Sequence, residues 1–161
     1  MVSMKELVRS GALEEVLAVY RDLDARPVER ACVRRGECCH FEITGRTPAV
    51  TLGEALLVAR AVRAQGKTRL AEEPGGRCPL LLEGQEAGGG LACAAYEARP
   101  FGCRTHFCRA AGGPIPRRNL LDLIRRLEAL DRALGGDGPH DLSLAVARAM
   151  EEPGTRRGRY R

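Results

Sequence analysis

The sequence predicts a mainly helical α+β fold, in which a small helical domain surrounds a cysteine-rich loop region and a short β-hairpin. Three observations lead to this prediction. Apolar residues recur at helical intervals in three segments, the stretches between those segments hold all seven cysteines, and two short apolar runs flank a glycine-rich connection. A chain of 161 residues suits one domain, which we place at residues 1–152, followed by a basic tail at 153–161 that is predicted to be disordered.

The first helix is predicted at residues 4–25. Its apolar residues share the spacing of one helix face: Leu13, Val16, Leu17, Tyr20 and Leu23. Ser3 and Glu6 have the spacing of a capping box at its start, and Pro27 ends it. Gly11 is a position at which this helix could break in two.

The second helix carries the clearest start signal in the chain. Thr51 and Glu54 form a capping box, apolar residues follow at helical spacing, and Gly66 supplies the C-terminal cap. Upstream of this helix, short apolar runs at residues 41–44 and 49–50 are predicted to be minor strands.

Two more helices are predicted in the last third of the chain. The third follows Pro116 and ends at Gly135, and the fourth begins near Asp141 and stops before Pro153. The third helix has one apolar side, which consists of Leu120, Ile124, Leu127, Leu130 and Leu134.

A hairpin is predicted between the second and third helices. Residues 78–82 and 90–93 are short apolar runs, and the connection between them is rich in glycine. Pairing of these two runs would bring Cys78 and Cys93 side by side.

The charge distribution argues against specific nucleic-acid binding. The net charge is +5, but four arginines near the end of the chain account for most of it: Arg156, Arg157, Arg159 and Arg161. The rest of the chain carries little net positive charge. Any binding of nucleic acid through the tail is therefore expected to be weak and to depend on the salt concentration.

The chain has no sequence signal for a membrane or for export. No stretch approaches the roughly 20 apolar residues that a membrane helix needs, and the N-terminus lacks the apolar region of a signal peptide. We therefore expect no membrane partner and a cytoplasmic location. The cytoplasm is reducing, and the chain has seven cysteines, an odd number. Both facts favour metal binding or thiol chemistry over disulfides.

The cysteines are the candidate metal ligands. They are Cys32, Cys38, Cys39, Cys78, Cys93, Cys103 and Cys108. Their spacing matches neither zinc fingers nor ferredoxins, so it indicates a metal site without selecting zinc, iron or an iron-sulfur cluster. For any single cysteine, burial as a small apolar side chain is the ordinary alternative. His40 and His106, which lie beside cysteines, are further candidate ligands.

A larger set of residues matches a known pattern. It consists of Cys32, Gly36, Cys38, Cys39, Val50, Thr51, Glu54, Cys78, Pro79, Leu80, Cys93, Tyr96, Arg99, Pro100, Cys103, Arg104, Phe107 and Cys108. With these residues the chain resembles the YkgJ-type cysteine-cluster proteins, whose CxxCxxCC domain is described as zinc- or iron-chelating. The resemblance implies that eight cysteines form a metal centre, of zinc or of iron and sulfur, and it implies no general activity.

Arg35 departs from that pattern, because it stands where the family has the second cysteine of CxxCxxCC. A guanidinium offers no lone pair to a metal. The centre then either has one thiolate fewer or recruits another ligand, for which His40 and His106 are the candidates. Seven cysteines and one histidine would complete two tetrahedral zinc sites, whereas one four-iron cluster needs only four cysteines.

Two arginines inside the motif, Arg99 and Arg104, are candidate supporting residues. Each could offset thiolate charge or donate hydrogen bonds to sulfur. The ordinary alternative is that they are solvated surface side chains.

Three classes of function are compatible with these residues. The first is a metal-binding protein whose centre has a structural, redox or metal-handling role. The second is an iron-dependent enzyme that acts on a peptide or protein, and the third is a zinc-dependent adaptor for nucleic acid or protein. The sequence contains no catalytic triad pattern, phosphate loop or nucleotide fingerprint, so the question of enzymatic activity stays open.

Overall fold

The structure is a computed structural model that describes residues 4–32, 36–71, 76–82 and 92–152. Within these ranges it confirms the mainly helical α+β class. The α-helices are α1 Met4–Asp24, α2 Phe41–Thr44, α3 Leu52–Ala64, α4 Phe101–Thr105, α5 Leu121–Ala133 and α6 Leu142–Glu151. The strands β1 Ala49–Val50, β2 Leu81–Leu82, β3 Ala92–Cys93 and β4 His140–Asp141 form two antiparallel pairs. None of these described helices has the length and apolar character that crossing a membrane requires.

The long helices α1, α3, α5 and α6 form the scaffold, and α3 contacts each of the other three. Each contributes a side chain that is at most 1% exposed: Val16, Val58, Leu123 and Val146. Burial of such aliphatic side chains is the main favourable contribution to folding. In α5 the predicted apolar side is rotated slightly, since Leu123 is fully buried and Ile124 only half-buried.

The helix α1 agrees with its prediction and runs through Gly11 without a break. Gly11 is exposed, and a side chain there would meet nothing within 4 Å. The cost of a glycine in a helix is about 1 kcal/mol, and the packing of Val16 and Tyr20 against the core outweighs it. Ser3, the first residue of the predicted capping box, lies outside the described residues.

The start of α3 is fixed from two directions. The predicted capping box is present, with the Thr51 N–H and hydroxyl donating to Glu54 Oε2 at 3.0 and 2.8 Å. Buried Asp131 of α5 accepts the N–H of Leu52 at 2.7 Å and that of Gly138 at 3.0 Å. One carboxylate therefore joins the start of α3 to the end of α5.

The predicted hairpin is present as β2 paired with β3, with Leu81 opposite Cys93. Its glycine-rich connection, residues 83–91, lies outside the described residues. The other pair, β1 with β4, sets Val50 opposite His140 and joins the starts of α3 and α6. No local pattern predicted that pairing, because its partners lie far apart in the chain.

The prediction of a strand at residues 41–44 is wrong, because these residues form the single helical turn α2. Gly45 closes the turn with a φ of 63°, which is left-handed backbone that glycine adopts at little cost. Its N–H donates to the carbonyl of Phe41 at 2.8 Å. This apolar run therefore forms a helical turn that ends at Gly45, and it does not adopt the extended backbone of a strand.

Candidate metal centre

Three separate segments bring cysteines to one cavity. The first is the 3₁₀ turn Glu37–Cys39. The second contains Cys78, whose backbone N–H donates to a carbonyl of that turn at 2.7 Å. The third runs from β3 through α4 and holds Cys93 and Cys103. These segments meet through backbone hydrogen bonds and short elements, so none of these cysteines lies on one of the long helices.

All seven cysteines line a cavity of about 830 Å³. His106, Arg99 and Arg104 line it as well. Much of the wall is apolar, with Phe41, Leu80, Phe101, Phe107, Ile115 and Leu127 among the lining residues. Thiols among apolar side chains are a surrounding that suits soft or borderline metal ions.

Five of the cysteines, which we call the inner thiols, act on one another electrostatically. They are Cys38, Cys39, Cys78, Cys93 and Cys103. Burial raises the pKa of the Cys103 thiol, and the neighbouring thiols Cys78 and Cys93 raise it further. Burial likewise raises the pKa of Cys78 to about 11. A bound metal would replace these protons and supply the positive charge that such a cluster needs to ionise.

Cys38 is the exception, because its pKa is lowered to about 6. Its Sγ shares a hydrogen bond with Sγ of Cys39, 4.0 Å away, and the charge of Arg99 also favours the thiolate. The same hydrogen bond, together with burial, raises the pKa of Cys39. The shared hydrogen bond and the charge of Arg99 therefore favour a thiolate in this pair, which is the form that binds a metal.

Arg99 lies close enough to the inner thiols to act on them. Its charge opposes the burial that raises the pKa of Cys93. Its guanidinium lies 3.8 Å from the ring centroid of Tyr96 and donates to the Tyr96 carbonyl at 3.1 Å. Its charge favours the thiolate forms of Cys38 and Cys93, and a supporting role of Arg99 toward a metal stays a prediction.

Arg104 stabilises the backbone of the segment that leads to Cys103. Its Nε donates to the carbonyl of Arg99 at 2.9 Å, and its Nη2 donates to the carbonyl of Glu97. The guanidinium lies 4.1 Å from the ring centroid of Tyr20. These contacts tie the chain before Cys103 to α1, so Arg104 positions the segment.

Glu54 and Tyr20 support the site in a way that sequence patterns did not reveal. Glu54 is 1% exposed, and its Oε1 accepts the N–H of Phe101 at 2.7 Å and the Tyr20 hydroxyl at 3.1 Å. Phe101 is the first residue of α4, which carries Cys103. The sequence near Glu54 predicts only the capping box. The other partners of the Glu54 carboxylate, Tyr20 and Phe101, lie on α1 and α4, far away in the chain.

The two histidine candidates differ in position. His106 lines the cavity, and burial together with the charge of Arg46 lowers its pKa, which favours the neutral imidazole that can bind a metal. His40 forms a β-bridge with Arg77, and its Nδ1 is 3.4 Å from Glu42 Oε1. His106 is therefore the better placed of the two.

One distance among the inner thiols already suits a metal. The 4.0 Å between the Sγ atoms of Cys38 and Cys39 is close to the about 3.8 Å between two sulfurs of a tetrahedral zinc site with Zn–S bonds of about 2.3 Å. Within the part of the chain that the structure describes, no three His, Cys, Asp or Glu side chains are grouped so as to hold a metal ion. Ligation therefore requires other inner thiols to turn toward this pair.

The remaining cysteines, Cys32 and Cys108, we call the outer thiols. Cys32 is exposed, and Cys108 directly precedes the 3₁₀ turn Arg109–Ala111. Two further predictions, the missing ligand at Arg35 and the disordered tail at 153–161, lie outside the described residues.

The chain was compared with protein families, with curated proteins and with solved structures. No family model, curated protein or solved structure matches the chain.

Proposed function

We propose that the chain is a metal-binding cysteine-cluster protein of the YkgJ type, with a centre of zinc or iron and with an iron-sulfur cluster as one form of the latter. The single observation that supports this most is the cluster of inner thiols. They come from three separate segments, share one cavity and shift one another's pKa. Separate segments converge on such a costly arrangement when a metal stabilises the thiolates.

The donor set supports zinc or iron over harder metals. Thiolate sulfur is the ligand that zinc and iron-sulfur clusters favour, whereas magnesium and calcium take oxygen ligands. The inner thiols would supply most ligands, and His106 is the first choice for an additional one. When bound, such a metal would join the three segments structurally or serve in electron transfer or metal handling. We place this role in the cytoplasm, whose reducing conditions keep thiols available.

The test is to purify the protein without oxygen, measure zinc and iron, and record the visible spectrum. Cys103→Ser is expected to lower the metal content or change the spectrum, because it removes an inner thiol. Thr105→Ser is a matched control on the same helix, since serine keeps the hydroxyl that donates to the Phe101 carbonyl at 2.9 Å. Parent protein without zinc and iron, prepared under these conditions, would contradict the proposal.

The cavity favours a second candidate, an iron-dependent enzyme that acts on a peptide or protein. A volume of about 830 Å³ falls within the about 300–1,000 Å³ of small-ligand pockets and exceeds what a metal ion needs. The candidate predicts that peptides change the spectrum of the iron-loaded protein and start oxygen consumption. If no peptide in a diverse mixture does either, this alternative loses its support.

A further inference from the structure

We propose that the cavity has a second binding site, apart from its thiols, for a small molecule with an apolar body and one carboxylate, of the class of medium-chain fatty acids. The inference goes beyond the metal centre, because the residues that would hold this molecule include no candidate metal ligand. Its first support is the size of the cavity, since about 830 Å³ leaves space for a ligand of this class beside a metal ion.

Six apolar residues from segments without a cysteine line the cavity, and we call them the apolar wall. They are Pro48, Pro114, Ile115, Pro116, Ile124 and Leu127. Leu127 is buried, whereas Pro48, Ile115 and Ile124 are only half-buried. Part of the apolar wall is therefore open to a ligand. Covering it with a hydrocarbon chain is favourable, because apolar surface is removed from water.

The helix α4 holds distant parts of the apolar wall together. A Cβ on Gly102 of α4 would lie 3.3 Å from Cβ of Pro48. At the end of α4, the carbonyl of Thr105 accepts the N–H of Ile115 at 2.9 Å. Pro48 and Ile115 therefore both lie against one short helix, although they are far apart in the chain.

The apolar wall offers few hydrogen bonds, which favours a hydrocarbon chain over a peptide as its occupant. Its three prolines have no N–H to donate, and the N–H of Ile115 is already used within the chain. The carbonyl of Pro48 accepts the N–H of Leu142 at 3.1 Å. The carbonyl of Pro116 accepts the N–H of Asn119 at 2.9 Å. A peptide backbone on this surface would leave polar groups unpaired, at a cost that a hydrocarbon chain does not have.

Two arginines supply the positive charge that a carboxylate needs. Arg46 and Arg117 both line the cavity and are exposed. Among the residues that the structure describes, none forms a hydrogen bond or a salt bridge with either guanidinium. Arg117 directly follows Pro116 of the apolar wall, and the charge of Arg46 acts on His106, the residue after α4. A guanidinium binds a carboxylate through two parallel hydrogen bonds.

The acidic residues of the cavity determine where the carboxylate of the ligand can lie. Glu128 lines the cavity one turn after Ile124 on α5. Its negative charge repels an anion, so the ligand carboxylate belongs beside the arginines and away from this turn. The other lining carboxylates, Glu37 and Glu54, lie in the turn that holds Cys38 and in α3.

The test compares decanoate with 1-decanol, which has the same hydrocarbon chain and no charge. Each is titrated against the full chain by calorimetry at pH 7.5 and low salt, fully dissolved and below the micelle concentration. We expect decanoate to occupy one site and to bind about fivefold more tightly than decanol, since exposed ion pairs are weak. Added salt should weaken the binding of decanoate alone.

Two sets of variants separate the arginines from the apolar wall. In the Arg46→Gln, Arg117→Gln double variant, decanoate should bind as weakly as decanol, while unchanged decanol binding shows that the cavity is intact. Arg118→Gln is the matched control, since Arg118 is exposed and outside the described lining of the cavity. Ile124→Thr should weaken both ligands alike, by about threefold. Glu128→Gln should tighten the binding of decanoate alone.

Three results would overturn the inference. Decanoate could bind no better than decanol, could bind at many sites, or could bind the double arginine variant as tightly as the parent. Displacement of decanoate by a lower concentration of trileucine would also overturn it, because the apolar wall would then prefer peptides. Failure of the proposed function has a different signature, since a parent protein without zinc and iron keeps the apolar wall and both arginines.

Discussion

The pKa of Cys38 is lowered, because a hydrogen bond shared with Cys39 and the charge of Arg99 favour its thiolate. In metal-free protein we expect iodoacetamide to alkylate Cys38 first at pH 7, with half-maximal rate near its pKa of about 6. Peptide mapping by mass spectrometry after short pulses from pH 5 to 9 measures this.

The Cys39→Ala variant tests the cause of that reactivity. It removes the hydrogen-bond partner of Cys38, so the pH of half-maximal Cys38 labelling should move up toward the ordinary thiol value. Arg99→Met should move it in the same direction by a smaller amount, because the hydrogen bond is the larger cause. A midpoint that stays near 6 in Cys39→Ala would assign the reactivity to another group.

Glu54 is the buried residue on which the segment of Cys103 depends. In Glu54→Ala the N–H of Phe101, the hydroxyl of Tyr20 and both donors of Thr51 lose their acceptor, and leaving buried donors unpaired costs about 1–3 kcal/mol each. We expect the free energy of unfolding to fall by at least about 3 kcal/mol in urea denaturation. Glu54→Gln keeps one carbonyl oxygen and should lose less.

Exposed Glu97 supplies the control for this substitution. Glu97→Ala leaves in place the backbone carbonyl that Arg104 binds, so its free energy of unfolding should stay within about 0.5 kcal/mol of the parent. Equal losses for Glu54→Ala and Glu97→Ala would show that the buried hydrogen bonds carry little stability.

At the scale of elements, the junction of α3, α5 and β4 is packed around Asp131. A Cβ on Gly136 would lie 2.5 Å from the Asp131 carboxylate, which the N–H groups of Leu52 and Gly138 hold in place. Gly136→Ala should therefore lower the free energy of unfolding by about 1–3 kcal/mol, measured by urea denaturation.

Gly11→Ala is the matched control for that prediction. It adds the same methyl group inside α1, where nothing lies within 4 Å. Alanine should raise the free energy of unfolding by about 0.5–1 kcal/mol, since it restricts the unfolded chain and favours helix. The two substitutions must differ in sign, and equal effects would refute the packing at Asp131.

For the whole molecule, the inner thiols predict that metal-free protein loses stability in alkali. Burial raises the pKa of Cys78 from its ordinary 9.0 to about 11, and the pKa values of Cys93, Cys103 and Cys39 are also raised. Above pH 9 the unfolded chain gives up these protons while the folded chain keeps them. For Cys78 stability should fall by about 1.4 kcal/mol per pH unit between pH 9 and 11, and the other three thiols should add to the fall above pH 9.

Metal binding should remove this dependence and raise the melting temperature. Ligand thiols are already deprotonated, and a metal that joins three irregular segments contributes to folding directly. Thermal unfolding of loaded and chelator-treated protein at pH 8 and pH 10 measures both effects. A melting temperature that does not change after confirmed metal removal would contradict the structural role of the centre.

Local signals predicted the parts of this molecule that form from local interactions. The capping box at Thr51, the apolar face of α1 and the hairpin around Cys93 all follow from residues close in the chain. Residues 41–44 show the limit of such signals, since a short apolar run suits a strand or a helical turn. There the glycine cap at Gly45 decided the conformation.

By itself, the sequence determined the mainly helical class, the segments that hold the thiols and the candidate ligands, because periodicity, caps and residue type act over a few positions. Only the tertiary structure decided that β1 pairs with β4, that Glu54 reaches Phe101, and that the charge of Arg99 acts on Cys38. These features depend on distances between groups far apart in the chain. Burial and neighbouring charge, which shift each pKa, exist only once those groups have packed together.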